Sequence, residues 1–248
     1  MKTQQMTGAR IVAFCLVAMM ACSKTGEAGE DGQEGNEDAI EDPGSAADAS
    51  SHAIPAALSA IEGAAEDGYD KGLAGDFAAA KAAAATVGDQ WAAYRPQAIR
   101  DGAQAAWLTG MDGAVAGFRT AAAAGTDKVT VARAANAISA WMDKFFGLYS
   151  NPVPVEVIRL DYLGREVVLD AMSADFVAAA RQDSEIEATW TQVRPKVVAA
   201  GGTQQAKDTD AALVELATAI QAKDGPATIA KANAVLDLVD SLEGVFAK

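Results

Sequence analysis

ADFVAAARQDSEIEATWTQVRP, residues 174–195, decides the fold, because the chain carries a second version of it. GDFAAAKAAAATVGDQWAAYRP, residues 75–96, lies 99 positions earlier and shares Asp-Phe, then Trp, then Arg-Pro at the same spacing. Upstream the match runs without a gap to Pro154 and Pro55. Downstream it loses residues, so that Asp112 matches Asp210 at a spacing of 98 and Asn136 matches Asn233 at 97. Gly147-Leu148-Tyr149 then matches Gly244-Val245-Phe246. Residues 54–149 and 153–246 therefore read as two copies of one unit, and self-similarity at a fixed period is the mark of a repeated architecture.

Within each copy the apolar spacing is helical. Leu160, Leu163, Val167, Ala171 and Ala174 recur at intervals of three and four, as one face of a helix requires. Pro154 suits a first turn, a helix from there ends near Ser173, and Asp175 is placed to cap the next. The pattern then runs through Phe176, Ile186, Trp190 and Val193, where Pro195 either kinks the helix or starts a short new one. Third and fourth helices are predicted over about 204–222 and 226–246. The first copy repeats the scheme near 55–73, 76–100, 103–124 and 127–149. Short turns between four helices favour antiparallel neighbours. The predicted fold is all-α: two four-helix bundle-like repeats, 53–150 and 151–248, about eight helices in total.

Composition agrees. Half of the 248 residues are apolar, much of that half is alanine, and only 6% of the chain is aromatic. Alanine is the best helix former and a poor strand residue. The net charge is −14, with no basic stripe, which argues against a nucleic-acid partner.

Lys2 and Arg10 precede an apolar run from Ile11 to Ala21 that ends in Met19-Met20-Ala21-Cys22. Eleven apolar residues are too few to cross a bilayer as a helix, which needs about 20. The segment resembles the bacterial lipoprotein signal, in which a small residue precedes a cysteine that is lipidated and becomes the mature N-terminus. The resemblance covers residues 1–22 alone and departs from the family pattern at Met19 and Met20. It implies cleavage after residue 21 and a lipid anchor on Cys22. With Ser23 rather than Asp after the cysteine, it further implies an outer-membrane destination facing the periplasm.

From 22 to 52 the chain carries five glycines, Pro43 and nine acids against Lys24, with Ile40 its one large aliphatic residue. Such a stretch cannot bury enough to offset its ordering entropy and is predicted to be a disordered tether. Its root-mean-square span is roughly 30 Å.

Chemistry is approached mostly by exclusion. The one histidine, His52, stands at the end of the tether, which leaves no His-based acid–base pair, no Ser-His-Asp triad and no His-rich metal site. The two cysteines, Cys15 and Cys22, form no cluster for iron–sulfur or haem attachment. No Gly-rich phosphate loop is present, and no cofactor is expected. The Trp-Arg-Pro signature is read as packing: Trp91 and Trp190 fill the core, and Arg95 and Arg194 satisfy carbonyls freed by the following proline. Asn136 and Asn233 are expected to make buried hydrogen bonds between helices. Trp107 and Trp141, which lack counterparts, are read as core, the alternative being an exposed partner-binding surface.

Carboxylates remain. On the helix opening the second copy, Asp161 and Arg165 attract at i,i+4, while Glu166 and Asp170 repel at the same spacing. The first copy has Glu62 and Glu66 repelling, with Asp67 and Lys71 attracting. The second-copy helix also carries two apolar stripes, one through Leu160 and Val167, the other through Ile158, Leu169 and Phe176. A helix apolar on two sides is central, so its polar residues are expected to be half-buried. Buried like charges require a cation, a neighbouring arginine or protonation. That motivates a candidate ligand site at Arg159, Tyr162, Glu166 and Asp170; the alternative is a solvated acidic face. Carboxylates one turn apart on one helix are wrongly disposed to flank a sugar bond, so no enzyme is expected. The sequence thus points to a non-enzymatic, membrane-anchored binding or interaction module, with a carrier for a cation or small ligand as the alternative.

Overall fold

The computed structural model describes residues 53–247; the signal segment, Cys22, the tether and His52 lie outside them. Helices follow one another with no strand among the described residues. The first half contains α1 (Ala56–Ala74), α2 (Phe77–Arg100), α3 (Ala105–Ala124), α4 (Lys128–Ser139) and α5 (Met142–Phe146). The second contains α6 (Val155–Met172), α7 (Phe176–Ala199), α8 (Thr203–Gln221) and α9 (Gly225–Phe246).

The starts are set by local chemistry. Asp76, Asp127, Asp175 and Asp224 each precede a helix and accept a hydrogen bond from the backbone N–H three residues on, at 3.0, 2.6, 2.9 and 3.0 Å. Each such cap stabilises its helix by about 1 kcal/mol. Pro55 and Pro154 precede α1 and α6 in extended conformation. Gly75 and Gly125 close α1 and α3 in the left-handed region, at φ 79° and 55°, where a Cβ would be strained.

In each half the helices form a ring. α1 packs on α2 and α4, and α3 on α2 and α4; likewise α6 packs on α7 and α9, and α8 on α7 and α9. Leu58, Ile61, Tyr94, Met111, Phe118 and Phe145 fill the first ring, and Leu163, Ile186, Val193, Leu216, Leu236 and Leu242 the second. Residues 53–247 belong to one compact unit rather than two, and α6 is the reason. Its Val157, Leu160, Leu163 and Val167 belong to the second core, while its Ile158 and Leu169 belong to the first. The two apolar stripes therefore serve two cores, and α6 also packs on α4 and α5 of the other half. Phe176, assigned to the second stripe, is half-buried at the start of α7.

α2 and α7 run through Pro96 and Pro195 to Arg100 and Ala199, so the first matches its predicted span and, of the two readings of Pro195, no new helix starts there. The helix predicted over 127–149 is instead interrupted at Ala140–Trp141. There the Trp141 ring lies so close to α3 that a Cβ on Gly110 would sit 2.0 Å from it. The bend places the large indole over that glycine. The matching residue of the second copy is Leu238, and α9 runs unbroken to Phe246.

Candidate functional site

The polar residues of α6 face two ways. Toward α4, Glu166 and Asp170 are buried, at 6% and 3% exposure, so the acidic face is not solvated. Both carboxylates meet one guanidinium. Arg133 of α4 donates from Nη1 to Glu166 Oε2 and from Nη2 to Asp170 Oδ1, the latter at 2.8 Å. Asn136, one turn further along α4 and fully buried, donates from Nδ2 to Glu166 Oε1 at 2.8 Å and to the Tyr162 carbonyl at 3.1 Å. Of the three ways to tolerate the repelling pair, the chain uses the neighbouring arginine. Burial nevertheless pushes both carboxyls above their usual range, against the lowering effect of Arg133 and, for Glu166, Asn136. Asp170 Oδ2 accepts no hydrogen bond, in keeping with that direction.

Arg159 and Tyr162 lie beside this latch. The Arg159 guanidinium sits 4.9 Å from the Tyr162 ring centre, a cation–π contact, and Nη2 donates to Glu185 of α7 at 2.7 Å. Tyr162 is half-buried, and burial followed by the Glu166 charge pushes its hydroxyl up to about 12. The structure thus brings all four candidate residues to one face of α6.

A second cluster lies toward α1 and α9. Arg165, 7% exposed, pairs with Asp161 at 2.7 Å, as its i,i+4 spacing predicts, and with Glu66 of α1 at 3.0 Å. Its guanidinium also lies 5.4 Å from the Tyr69 ring centre. Glu62 of α1 and Glu243 of α9 add charge to the same neighbourhood. Burial raises Glu62 well above the usual carboxylate range, and Glu66, Glu243 and Asp161 push it further. Glu243 is raised to about 7, by burial first and then by Asp161 and Glu66. Among the described residues no group of three or more acids, histidines or cysteines is arranged to hold a metal ion.

The Trp-Arg-Pro signature has a different role from the one expected. Arg95 does not cap carbonyls freed by Pro96; it reaches α3, donating from Nε and Nη2 to Asp112 at 3.0 and 2.9 Å. Trp91 Nε1 donates to the same carboxylate at 2.7 Å. The second half carries the same triad, with Trp190 to Asp210 at 2.8 Å and Arg194 to Asp210 at 2.9 and 2.7 Å. The arginine bonds hold both aspartates below their usual range, and the indole N–H adds to the effect. Both indoles are buried as expected, whereas Trp107 and Trp141 are half-buried at the core's edge. Asn233, unlike Asn136, is half-buried.

Sequence reasoning missed Arg133 and the gathering of Glu62, Glu66 and Glu243 around Arg165. A signal for the first was present: Arg133 stands three residues before Asn136, on the same face of α4, where the second copy has Ala230. Nothing local marked the second, because α1, α6 and α9 meet only in the assembled rings.

No family model, no curated protein and no solved structure matches the chain.

Proposed function

We propose that the chain is a non-enzymatic interaction module, anchored through a lipid on Cys22 to the outer membrane and facing the periplasm. A tether over residues 22–52 then carries the helical body away from the membrane. The observation that carries the choice between module and carrier is Arg133. A carrier reading starts from two carboxylates in need of a cation, and in the folded chain Arg133 and Asn136 already meet that need. Of the remaining polar groups of that face, Arg159 contacts both Tyr162 and Glu185. Each carboxylate thus has the arginine as a partner, which favours the module over a carrier that needs a cation there.

The anchor and the module are tested together. Cys22→Ser is expected to move the protein from the membrane fraction to the soluble periplasmic fraction. Retention in the membrane with residues 1–21 still attached would replace the lipid anchor by an uncleaved signal anchor. On the purified protein, Ca²⁺, Mg²⁺ and Zn²⁺ are each expected to leave the melting temperature unchanged. A rise with concentration, as mass action requires of a ligand that binds the folded state, would restore the carrier reading.

A further inference from the structure

The two rings meet along α6 in two different ways. On one side α4 and α5 pack closely on α6, and Arg133 ties α4 to Glu166 and Asp170. On the other side α1 packs closely on neither α6 nor α9, and the rings are joined there by the bond from Arg165 to Glu66. Arg165 stands on the stripe that faces the first ring, seven residues after Ile158 and four before Leu169. Its single positive charge serves carboxyls from three helices: Glu62 and Glu66 of α1, Asp161 of α6 and Glu243 of α9. Glu66 and Asp161 share its Nη2. Arg165 Nη1 and the hydroxyl of Tyr69, whose ring packs on the guanidinium, are buried with no hydrogen-bond partner.

We propose that this side of the joint is a proton-operated clasp: with Glu62 and Glu243 protonated the α1 edge closes on α6 and α9, and when both ionise the rings swing apart there about the α4–α6 contact. The acids come from both rings, so their repulsion acts across the joint rather than along one helix. In the closed form burial first, then the neighbouring acids, raise Glu62 well above the usual carboxylate range and Glu243 to about 7. Opening returns both to water and to their ordinary range, so the closed form binds more protons and rising pH favours the open one. Opening also gives Arg165 Nη1 and the Tyr69 hydroxyl access to water, which offsets part of the cost of exposing Ile158 and Leu169. No other helix packed on α1 or α9 brings a charge that would cancel the effect. On α2, Lys81, Asp89 and Arg100 are exposed and Arg95 holds Asp112; Arg133 of α4 holds Glu166 and Asp170, and on α5 Asp143 pairs with Lys144. On α8, Lys207 and Asp208 are exposed, Asp210 holds Arg194 of α7 and Glu215 pairs with Lys231, while Glu185 of α7 holds Arg159. Asp240, exposed on α9 itself, pushes Glu243 in the same direction as the other acids. The clasp is a property of the helical body and does not rest on the proposed anchor or module.

Distances between nitroxide labels, read by electron paramagnetic resonance on the full chain in a Cys15→Ser/Cys22→Ser background, test it. Gly63→Cys and Gly244→Cys place one label beside each acid, at positions where an added Cβ meets nothing within 4 Å. Thr130→Cys and Ser173→Cys place a second pair across the pivot, each three residues beyond the Arg133–Asp170 bond. Between about pH 5 and about pH 8 the long separation of the first pair is expected to grow at the expense of the short one. The ratio rises by up to about tenfold per pH unit for each of the two carboxyls that keeps its proton in the closed form. The second pair is expected to keep one separation throughout. In Glu62→Gln/Glu243→Gln the first pair is expected to stay short at both ends of the range. A first-pair separation that ignores pH, the same lengthening in the double glutamine variant, or lengthening of both pairs together would each overturn the proposal.

Discussion

α1 and α6 each open a ring of helices, yet one is a half-exposed wall and the other an axle. α6 touches both cores and buries Arg165, Glu166 and Asp170. α1 leaves Asp67, Asp70 and Lys71 exposed, and its Glu62 and Glu66 lie half-buried in the cluster around Arg165. The apolar spacing that builds each ring is common to both. What differs is a neighbour from outside the ring: α4 lies against α6, and none of the described residues lies against the corresponding face of α1. Apolar spacing therefore specifies the ring, while the contact between rings decides which polar positions carry an energetic burden.

The largest expected difference is at that contact. Arg133→Ala would leave two buried carboxylates facing each other, and breaking a fully buried pair costs about 3–5 kcal/mol. The Arg133 side chain is 38% exposed, so water reaches part of the site and a loss of about 2–3 kcal/mol is expected. Lys71→Ala, at the counterpart of Asp170, should change stability by less than about 0.5 kcal/mol. Urea denaturation of the two variants measures both. Equal effects would mean that α4 does not hold α6 in this way.

The acidic cluster around Arg165 sharpens the comparison through pH. Glu243 is raised from 4.5 to about 7 in the folded chain. The folded state then binds more protons than the unfolded one between those values, so the stability linked to Glu243 is fully present below pH 4.5 and lost as pH rises through 7. Each tenfold change in proton affinity is worth about 1.4 kcal/mol, and partial solvent access leaves roughly 2–3 kcal/mol at stake. Glu62, whose carboxyl is also raised by burial and by Glu66, acts in the same direction. Thermal melts from pH 4.5 to 8 are expected to show a falling melting temperature, with Glu243→Gln flattening the slope. An unchanged slope in the variant would remove Glu243 as a source of the dependence.

Much of this was legible in the residues, and the omissions have a common cause. Helix order, the Asp175 cap, the Asp161–Arg165 pair and the two-sided character of α6 all follow from spacing within one helix. Arg133, the tie from Arg165 to Glu66, and the crowding of Glu62 and Glu243 depend on which helices of different rings face each other, and periodicity along one helix carries no such information. The break at Trp141 is intermediate. Its cause is a glycine 31 residues away on α3, although the absence of a counterpart for Trp141 already marked the position as peculiar to the first half. Arg95 and Arg194 stand beside prolines, which points to freed carbonyls, whereas their partners Asp112 and Asp210 lie on the next helix of each ring.

Those aspartates supply the smallest expected effect and the place where the two halves should agree. Trp91, Arg95 and Asp112 form the same bonds as Trp190, Arg194 and Asp210, each distance differing by no more than 0.2 Å between the halves. Each triad ties the second helix of its ring to the third, beside a buried indole. The arginine and aspartate side chains are partly open to water in both halves, so solvent screens the ion pair and the loss of the indole's hydrogen-bond partner dominates. Asp112→Ala and Asp210→Ala are each expected to cost about 1 kcal/mol. The two sites lie in separate rings and share no partner, so the double variant should lose the sum to within about 0.3–0.5 kcal/mol. Denaturant titration of the two single variants and the double variant measures this. A twofold difference between the single variants would show that the rings do not bear load equally at this joint, and a double variant less stable than the sum would show that the joints are coupled through α6.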